Sequence, residues 1–333
     1  MNRSLKMLLI SLLPLSKLTY HRYTFILKQL AKVKYLVLLN IASKYLEHSN
    51  VKLNSVTNSR NESKYIPAYN SRCNISRYSL LIGVRKGGTR ALIDMIGMHS
   101  KVHSASNEMH FFDDDENYEK GYAWYQQKMP SCKKHEIVIE KTPSYFVTPT
   151  VPLRVFKLNK DINLLLIVRD PVTRLISDYT QLLHNHVAKN LTFMSFEEFV
   201  TINDPQGERN LVHNDAILRS MYVKHMKRWL EYFPLSQIHI INGDRLIKKP
   251  WKELRKVETF LRLKHEIKKT HFHFNRTKGF HCLKRAGRCL AKSKGRQHPK
   301  VSSEVVHKLR SFFRPYNYQF YDLVGQDFGW PEE

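Results

Sequence analysis

The sequence predicts an α/β domain with a mostly parallel central sheet flanked by helices, and three observations carry that reading. A short apolar run, Ser79–Val84 (SLLIGV), passes through a glycine-containing turn into Ala91–Met98 (ALIDMIGM), whose apolar residues recur at helical spacing. A second run, Leu164–Val168 (LLLIV), passes through Arg169-Asp170-Pro171 into Val172–Gln181 (VTRLISDYTQ), again in helical rhythm. The third is composition: 42% hydrophobic and 11% aromatic residues in a chain of 333 suffice for a real core and exclude wholesale disorder.

Strands are expected near 79–84, 136–140, 164–168 and 238–242, and helices near 89–98, 171–184, 215–232, 250–262 and 302–313. Apolar spacing within Tyr222–Trp229 and Val257–Leu261 marks core-facing helix surfaces. This domain is expected to span 78–333. Before it, 47–77 is polar and rich in Ser, Asn and Lys, the texture of a stem or linker. Residues 1–46 hold eight basic residues and no acid, and read as a signal or membrane-anchor region. Their apolar runs, Met7–Leu15 and Tyr35–Ala42, are shorter than the roughly 20 residues a spanning helix needs. The first fits a signal-peptide core; a basic amphipathic helix lying on a membrane and an organellar presequence are the competing readings. Asn-x-Ser/Thr acceptors at Asn61, Asn74, Asn190 and Asn275 have a use only in a luminal chain.

Charge narrows the partner. Fifty-five Lys and Arg against 29 Asp and Glu give a net +26, which calls for nucleic acid, acidic lipid or a sulfated or phosphorylated polymer. The excess concentrates between Arg245 and Lys300, with 19 Lys/Arg and three acids. No zinc finger, RNP-like aromatic motif or basic zipper accompanies it, which argues against nucleic acid. Four cysteines without a CxxC pair exclude a disulfide scaffold, a zinc ribbon and a thioredoxin-like site. Cys73 and Cys132 either pair with each other or stay free.

The turn Arg85-Lys86-Gly87-Gly88-Thr89-Arg90 is built for an anion. Unpaired N–H groups and the macrodipole favour negative charge at a helix start, two glycines allow close approach, and three cations add full charge. A basic turn without a ligand is the competing reading, and mutual repulsion of the cations opposes it. The Walker pattern does not fit: counted from Gly83, Gly88 falls correctly, but Thr89 and Arg90 occupy the Lys and Ser/Thr positions. The hydroxyl that would follow the lysine and hold magnesium is missing. Arg169, at the carboxyl end of a second strand, and Ser177, two turns into the next helix, form a second anion contact.

With these segments stand Asn107-Glu108-Met109-His110-Phe111-Phe112-Asp113, Glu140-Lys141-Thr142-Pro143-Ser144-Tyr145-Phe146 and Ser293-Lys294-Gly295-Arg296-Gln297-His298-Pro299. In this order the five motifs resemble the heparan sulfate glucosamine 3-O-sulfotransferases, over roughly Leu80 to Trp330. The resemblance implies a P-loop-NTPase-like sulfotransferase fold, 3′-phosphoadenylyl sulfate (PAPS) as donor with PAP as product, no metal, and heparan sulfate or heparin as acceptor. It implies a Golgi-luminal type II membrane protein anchored through its N-terminus, with secretion after cleavage as the lesser option, no nucleic acid and no obligate protein partner. Carried onto this sequence, Lys86, Gly87, Gly88, Thr89 and Arg90 cradle the 5′-phosphosulfate, and Arg169 and Ser177 hold the 3′-phosphate. Lys294, Gly295, Arg296, Gln297 and His298 close over the nucleotide. Glu108 is the catalytic base, with Lys86, His110 and Asp113 in the catalytic set. Arg85, Glu108, His110, Phe111, Phe112, Asp113, Lys141, Thr142, Pro143 and Ser144 contact substrate. Cys282 and Cys289 form the family disulfide, worth roughly 2–3 kcal/mol for so short a loop.

Chemistry agrees with these roles. A sugar hydroxyl is a poor nucleophile, so a positioned carboxylate should take its proton, while a cation neutralises charge growing on the leaving oxygen. The small Ser106 and Ala291, with Asp115–Gly121 (DENYEKG) and Phe312–Tyr321 (FFRPYNYQFY), resemble the isoform-5 branch and imply an open entrance with broad acceptor tolerance. A catalytically silent heparin-binding protein and a nucleotide-dependent phosphotransferase on the same fold are the alternatives.

Overall fold

The computed structural model describes residues 73–201, 214–284, 289–291 and 295–333. The expected anchor region, the stem up to residue 72, Asn61 and Lys294 lie outside the described residues. Five strands form the central sheet: β1 (Tyr78–Gly83), β2 (Val102–Ser104), β3 (Ile137–Lys141), β4 (Asn163–Val168) and β5 (Ile238–Asn242). They lie in the order β2-β3-β1-β4-β5, and every neighbouring pair is parallel. A small antiparallel pair, β6 (Phe272–Asn275) and β7 (Phe280–Leu283), stands apart.

Alternation along the strands assigns their side chains to two layers. Leu80 and Ile82 of β1, with Leu164, Leu166 and Val168 of β4, join a core containing Tyr125, Phe146, Trp229 and Phe320. Leu81, Leu165 and Ile167 face the other way and pack on α1 (Thr89–Ile96) and α10 (Pro250–Phe260) through Leu92, Ile96, Leu254 and Val257. Both faces are covered, which is why β1 and β4 read as unbroken apolar runs.

The intervening helices are α2 (Asp115–Glu119), α3 (Gly121–Lys128), α4 (Val151–Leu158), α5 (Pro171–Val187), α6 (Phe196–Val200), α7 (Asp215–Leu218), α8 (Tyr222–Leu230) and α9 (Gly243–Lys248), with α11 (Ser303–Val324) last. Three expectations change. The helix expected over 215–232 is two helices, because the buried Arg174 guanidinium takes the carbonyl of Ala216 and the chain turns at Ser220, whose hydroxyl Arg174 Nε also reaches at 2.6 Å. The helix expected near 250 is preceded by the separate α9, and Pro250 opens α10. The last helix continues past 313 and through Pro315 because Phe320 and Val324 still bury against the core.

The stem boundary also moves inward. Cys73 is buried and bonded to Cys132, so the residues just before β1 belong to the folded unit. Cys282 and Cys289 are bonded as well. Among the described residues no helix is long and apolar enough to cross a membrane. A parallel sheet brings all its carboxyl ends to one edge, and the loops leaving that edge carry Gly87, Glu108, Lys141–Ser144, Arg169 and Gly243.

Candidate active site

The turn after β1 is made of main chain packed on main chain. A Cβ on Gly87 would lie 2.6 Å from the Ile167 carbonyl oxygen and 3.0 Å from that of Val84. One on Gly243 would lie 2.6 Å from the Gly87 carbonyl oxygen. The backbone is left-handed at Lys86 (φ 68°) and at Gly88 (φ 114°), the N-cap from which α1 starts. Lys86, Gly87, Gly88, Thr89 and Arg90 line a cavity of about 490 Å³.

Arg169, Ser177, Gly295, Arg296 and His298 line the same cavity. Second contacts aim the guanidinium groups: Arg169 Nε donates to Asp244 Oδ1 at 3.0 Å, and Arg296 Nη1 to Gln181 Oε1 at 2.8 Å. Burial holds the His298 imidazole below its usual range, and the charges of Arg169 and Lys86 push the same way. The cations thus converge. This donor set, on a turn too tight for side chains, fits an anion carrying more than one phosphate or sulfate group.

A second cavity, of about 760 Å³, shares Arg90, Ala91, Met95, His281 and Leu290 with the first. Ser106, Asn107, Glu108 and Lys141 line it. Lys141 Nζ donates to Glu108 Oε1, and His110 Nε2 stands 3.7 Å from Glu108 Oε2. His110 Nδ1 lies 3.0 Å from Asp113 Oδ2, which also accepts from the Ser144 hydroxyl. The backbone under this chain of contacts is pinned. Met109 N and His110 N donate to Thr142 Oγ1 at 3.1 and 3.4 Å, and Phe111 N donates to Tyr145 OH at 3.0 Å. These bonds hold His110 at φ 48°, a left-handed conformation unusual for a residue other than glycine. The Thr142 hydroxyl donates in turn to Glu140, whose carboxyl is 1% exposed and is pushed by burial up to about 7.

The profile of the sulfotransferase domain family matches residues 76–326. Heparan sulfate glucosamine 3-O-sulfotransferase 5 of Mus musculus is 49% identical over 256 residues, covering 76% of this chain and 73% of the relative. The chain belongs to this sulfotransferase family. Heparan sulfate glucosamine 3-O-sulfotransferase 6 of Homo sapiens is 44% identical over 257 residues, covering 76% and 73%. The solved sulfotransferase of Alicyclobacillus acidocaldarius shares the fold, with a TM-score of 0.55 at 18% identity over 75% of this chain and 96% of the other.

In this sulfotransferase the residues singled out in the sequence fall into three groups. Lys86 to Arg90, Arg169, Ser177, Gly295, Arg296 and His298 meet in one cavity, and Glu108 and Lys141 in the other. His110, Asp113 and Ser144 follow Glu108 as a bonded chain. The third group lies elsewhere. Phe111, Phe112 and Thr142 are interior, so they support the loop that carries Glu108 in place of the substrate contact expected of them. Gln297 is exposed and lines neither cavity, while Pro143 packs its carbonyl near Gly83. Arg85 lines neither cavity and is bound to Asp178, its Nε 2.8 Å from Oδ1.

Asp178 is a residue the sequence reading missed. It is buried beside Ser177 and joins Arg85 of the anion turn to Arg174 of α5, whose Nη1 is 2.9 Å from Oδ2. Burial raises this carboxyl, but the Arg174 and Arg85 charges together outweigh it and hold it below the usual range. A polar residue at a buried helical position was the available signal. Gly243 was also missed, and nothing local marks it, since the main chain it packs on, at Gly87, is distant in sequence; Glu140 and Tyr145 stand in a motif, but their support of the loop through Met109 and Phe111 is not legible there. The disulfide of β7 forms part of the wall beside Glu108, with Leu290 and Ala291.

Proposed function

We propose that this chain transfers the sulfuryl group of PAPS to the 3-hydroxyl of glucosamine in heparan sulfate, with Glu108 as general base. One observation carries the reading: the acid and the glycine turn line two cavities with a common wall at Arg90, Ala91, Met95 and His281. The curated relatives are named for this reaction. Bound PAPS supplies an activated sulfuryl group. Lys86 to Arg90 bind and orient its 5′ anion, and Arg169 and Ser177 take the 3′-phosphate. Lys141 holds Glu108 by one oxygen and leaves Oε2 on the His110 side, within reach of an acceptor hydroxyl proton. His110, oriented by Asp113, steadies that carboxylate, and Lys86 neutralises charge developing on the leaving oxygen.

The proposal extends to a Golgi-luminal chain held by its N-terminal region and to transfer without a metal ion. The small Ser106 and lining Ala291 leave the acceptor cavity open at two positions, in keeping with broad acceptor tolerance. The test is transfer of radiolabelled sulfate from PAPS to heparan sulfate, wild type beside Glu108→Gln, followed by disaccharide analysis of the product. Expected are loss of at least a hundredfold in kcat with PAP affinity kept, and more than one 3-O-sulfated disaccharide from the wild type. An active Glu108→Gln enzyme removes Glu108 from its role, and a single product species removes the tolerance.

A further inference from the structure

The basic region 245–300 divides in the structure. Lys278 and Arg296 line the nucleotide cavity. Lys252, Arg255, Lys256, Arg262, Lys268 and Lys269, on α10 and the loop behind it, are exposed and line neither cavity. The three acids of this stretch are already engaged. Glu253 and Glu258 are buried, and Glu266 is taken by the backbone and hydroxyl of Ser100. Glu253, 1% exposed, already faces two cations, with Arg245 Nε at 3.2 Å and Lys256 Nζ at 3.1 Å. Like charges three and four residues apart destabilise a helix by a few tenths of a kcal/mol per pair, a cost that the Lys256–Glu253 pair offsets for one member of the row.

The row has direction. From Lys252 to the helix end at Phe260 it runs about 12 Å at 1.5 Å per residue, and Arg262 follows in the turn beyond. Trp251, in the first turn of α10, packs edge-to-face on His281 with ring centroids 5.5 Å apart, and His281 lines both cavities. Lys269 Nζ lies 5.5 Å from the centre of the same indole. The ridge therefore joins the rim of the cavity that holds Glu108. On this geometry an acceptor confined to the cavity makes no contact with the ridge, whereas an anionic chain extending past His281 along α10 does.

We propose that the outer face of α10 is a second binding surface for the sulfated polysaccharide, holding the part of the chain that extends beyond the reacting sugar. The inference rests on the proposed acceptor, and the charge and its junction with the acceptor cavity favour this occupant over an acidic membrane. The test replaces Lys252, Arg255, Lys256 and Arg262 together by Ser and measures sulfate transfer to long heparan sulfate and to a hexasaccharide, at low and high salt. The polymer KM is expected to rise about tenfold at low salt and its salt dependence to flatten, through screening and lost counterion release. kcat and the hexasaccharide KM are expected to stay unchanged. An unchanged polymer KM overturns the proposal, as does an equal rise for both acceptors. Loss of binding to phosphatidylserine vesicles with the polymer KM kept assigns the ridge to lipid instead. Wild-type protein inactive on both acceptors refutes the proposed function. The ridge is still read by heparin affinity: the variant is expected to elute at lower salt, and co-elution with wild type overturns the surface.

Discussion

Glu140, one residue before Lys141, is the buried carboxyl on which the loop carrying Glu108 rests. Burial moves it from the ordinary 4.5 to about 7. Between those values the folded chain keeps a proton that the unfolded chain releases, so this residue's contribution to stability falls as pH rises from about 4.5 to about 7 and then levels. Each unit of the shift corresponds to about 1.4 kcal/mol. Glu140→Gln removes the titration while leaving an oxygen to accept from Thr142. The melting temperature of the variant relative to wild type should rise from pH 5 to pH 8 by several degrees; a difference independent of pH refutes the argument. The side chains of the site differ in how far local sequence reveals them. Glu108, Lys86 and Glu140 all sit in motifs, but the burial of Glu140 and its contact with the Met109 amide, 31 positions away in the chain, are set by the fold.

The element that most constrains the site is the β1–α1 turn. Gly87→Ala pushes a methyl against two backbone carbonyls, neither of which can swing aside. PAP affinity should fall at least tenfold in isothermal titration, with a stability loss of about 1–3 kcal/mol. Gly325→Ala is the control: nothing lies within 4 Å of its Cβ, but φ is 65°, so stability should drop by about 1 kcal/mol with PAP binding intact. Comparable loss of PAP binding in both variants assigns the effect to general destabilisation. This strand–turn–helix was legible because period and glycine placement are local. The β6–β7 hairpin was not, since Phe272, Phe274 and Phe280 are scattered through a cationic stretch with weak alternation. The break between α7 and α8 was equally hidden, because Arg174, some forty positions earlier in the chain, takes the carbonyl that would continue the helix.

On the scale of the whole domain, the two disulfides divide the labour of holding it. Cys73–Cys132 spans 59 residues and ties the approach to β1 to the segment after α3. Cys282–Cys289 spans seven and stiffens the cavity wall. Closing the longer loop is worth about 4 kcal/mol and the shorter about 2. Cys73→Ala/Cys132→Ala should therefore lower the melting temperature more, and Cys282→Ala/Cys289→Ala should lower sulfate transfer more; the reverse ranking in either assay removes this assignment. The meeting of Gly87 with Gly243 has a wider consequence. On the proposed reading, a donor pocket whose closest fit is peptide against peptide holds positions 87 and 243 to glycine and leaves little room for change there. Ser106 and Ala291 line the other cavity without such a constraint, so on the same reading acceptor choice shifts there while the sulfate-delivering half stays as it is.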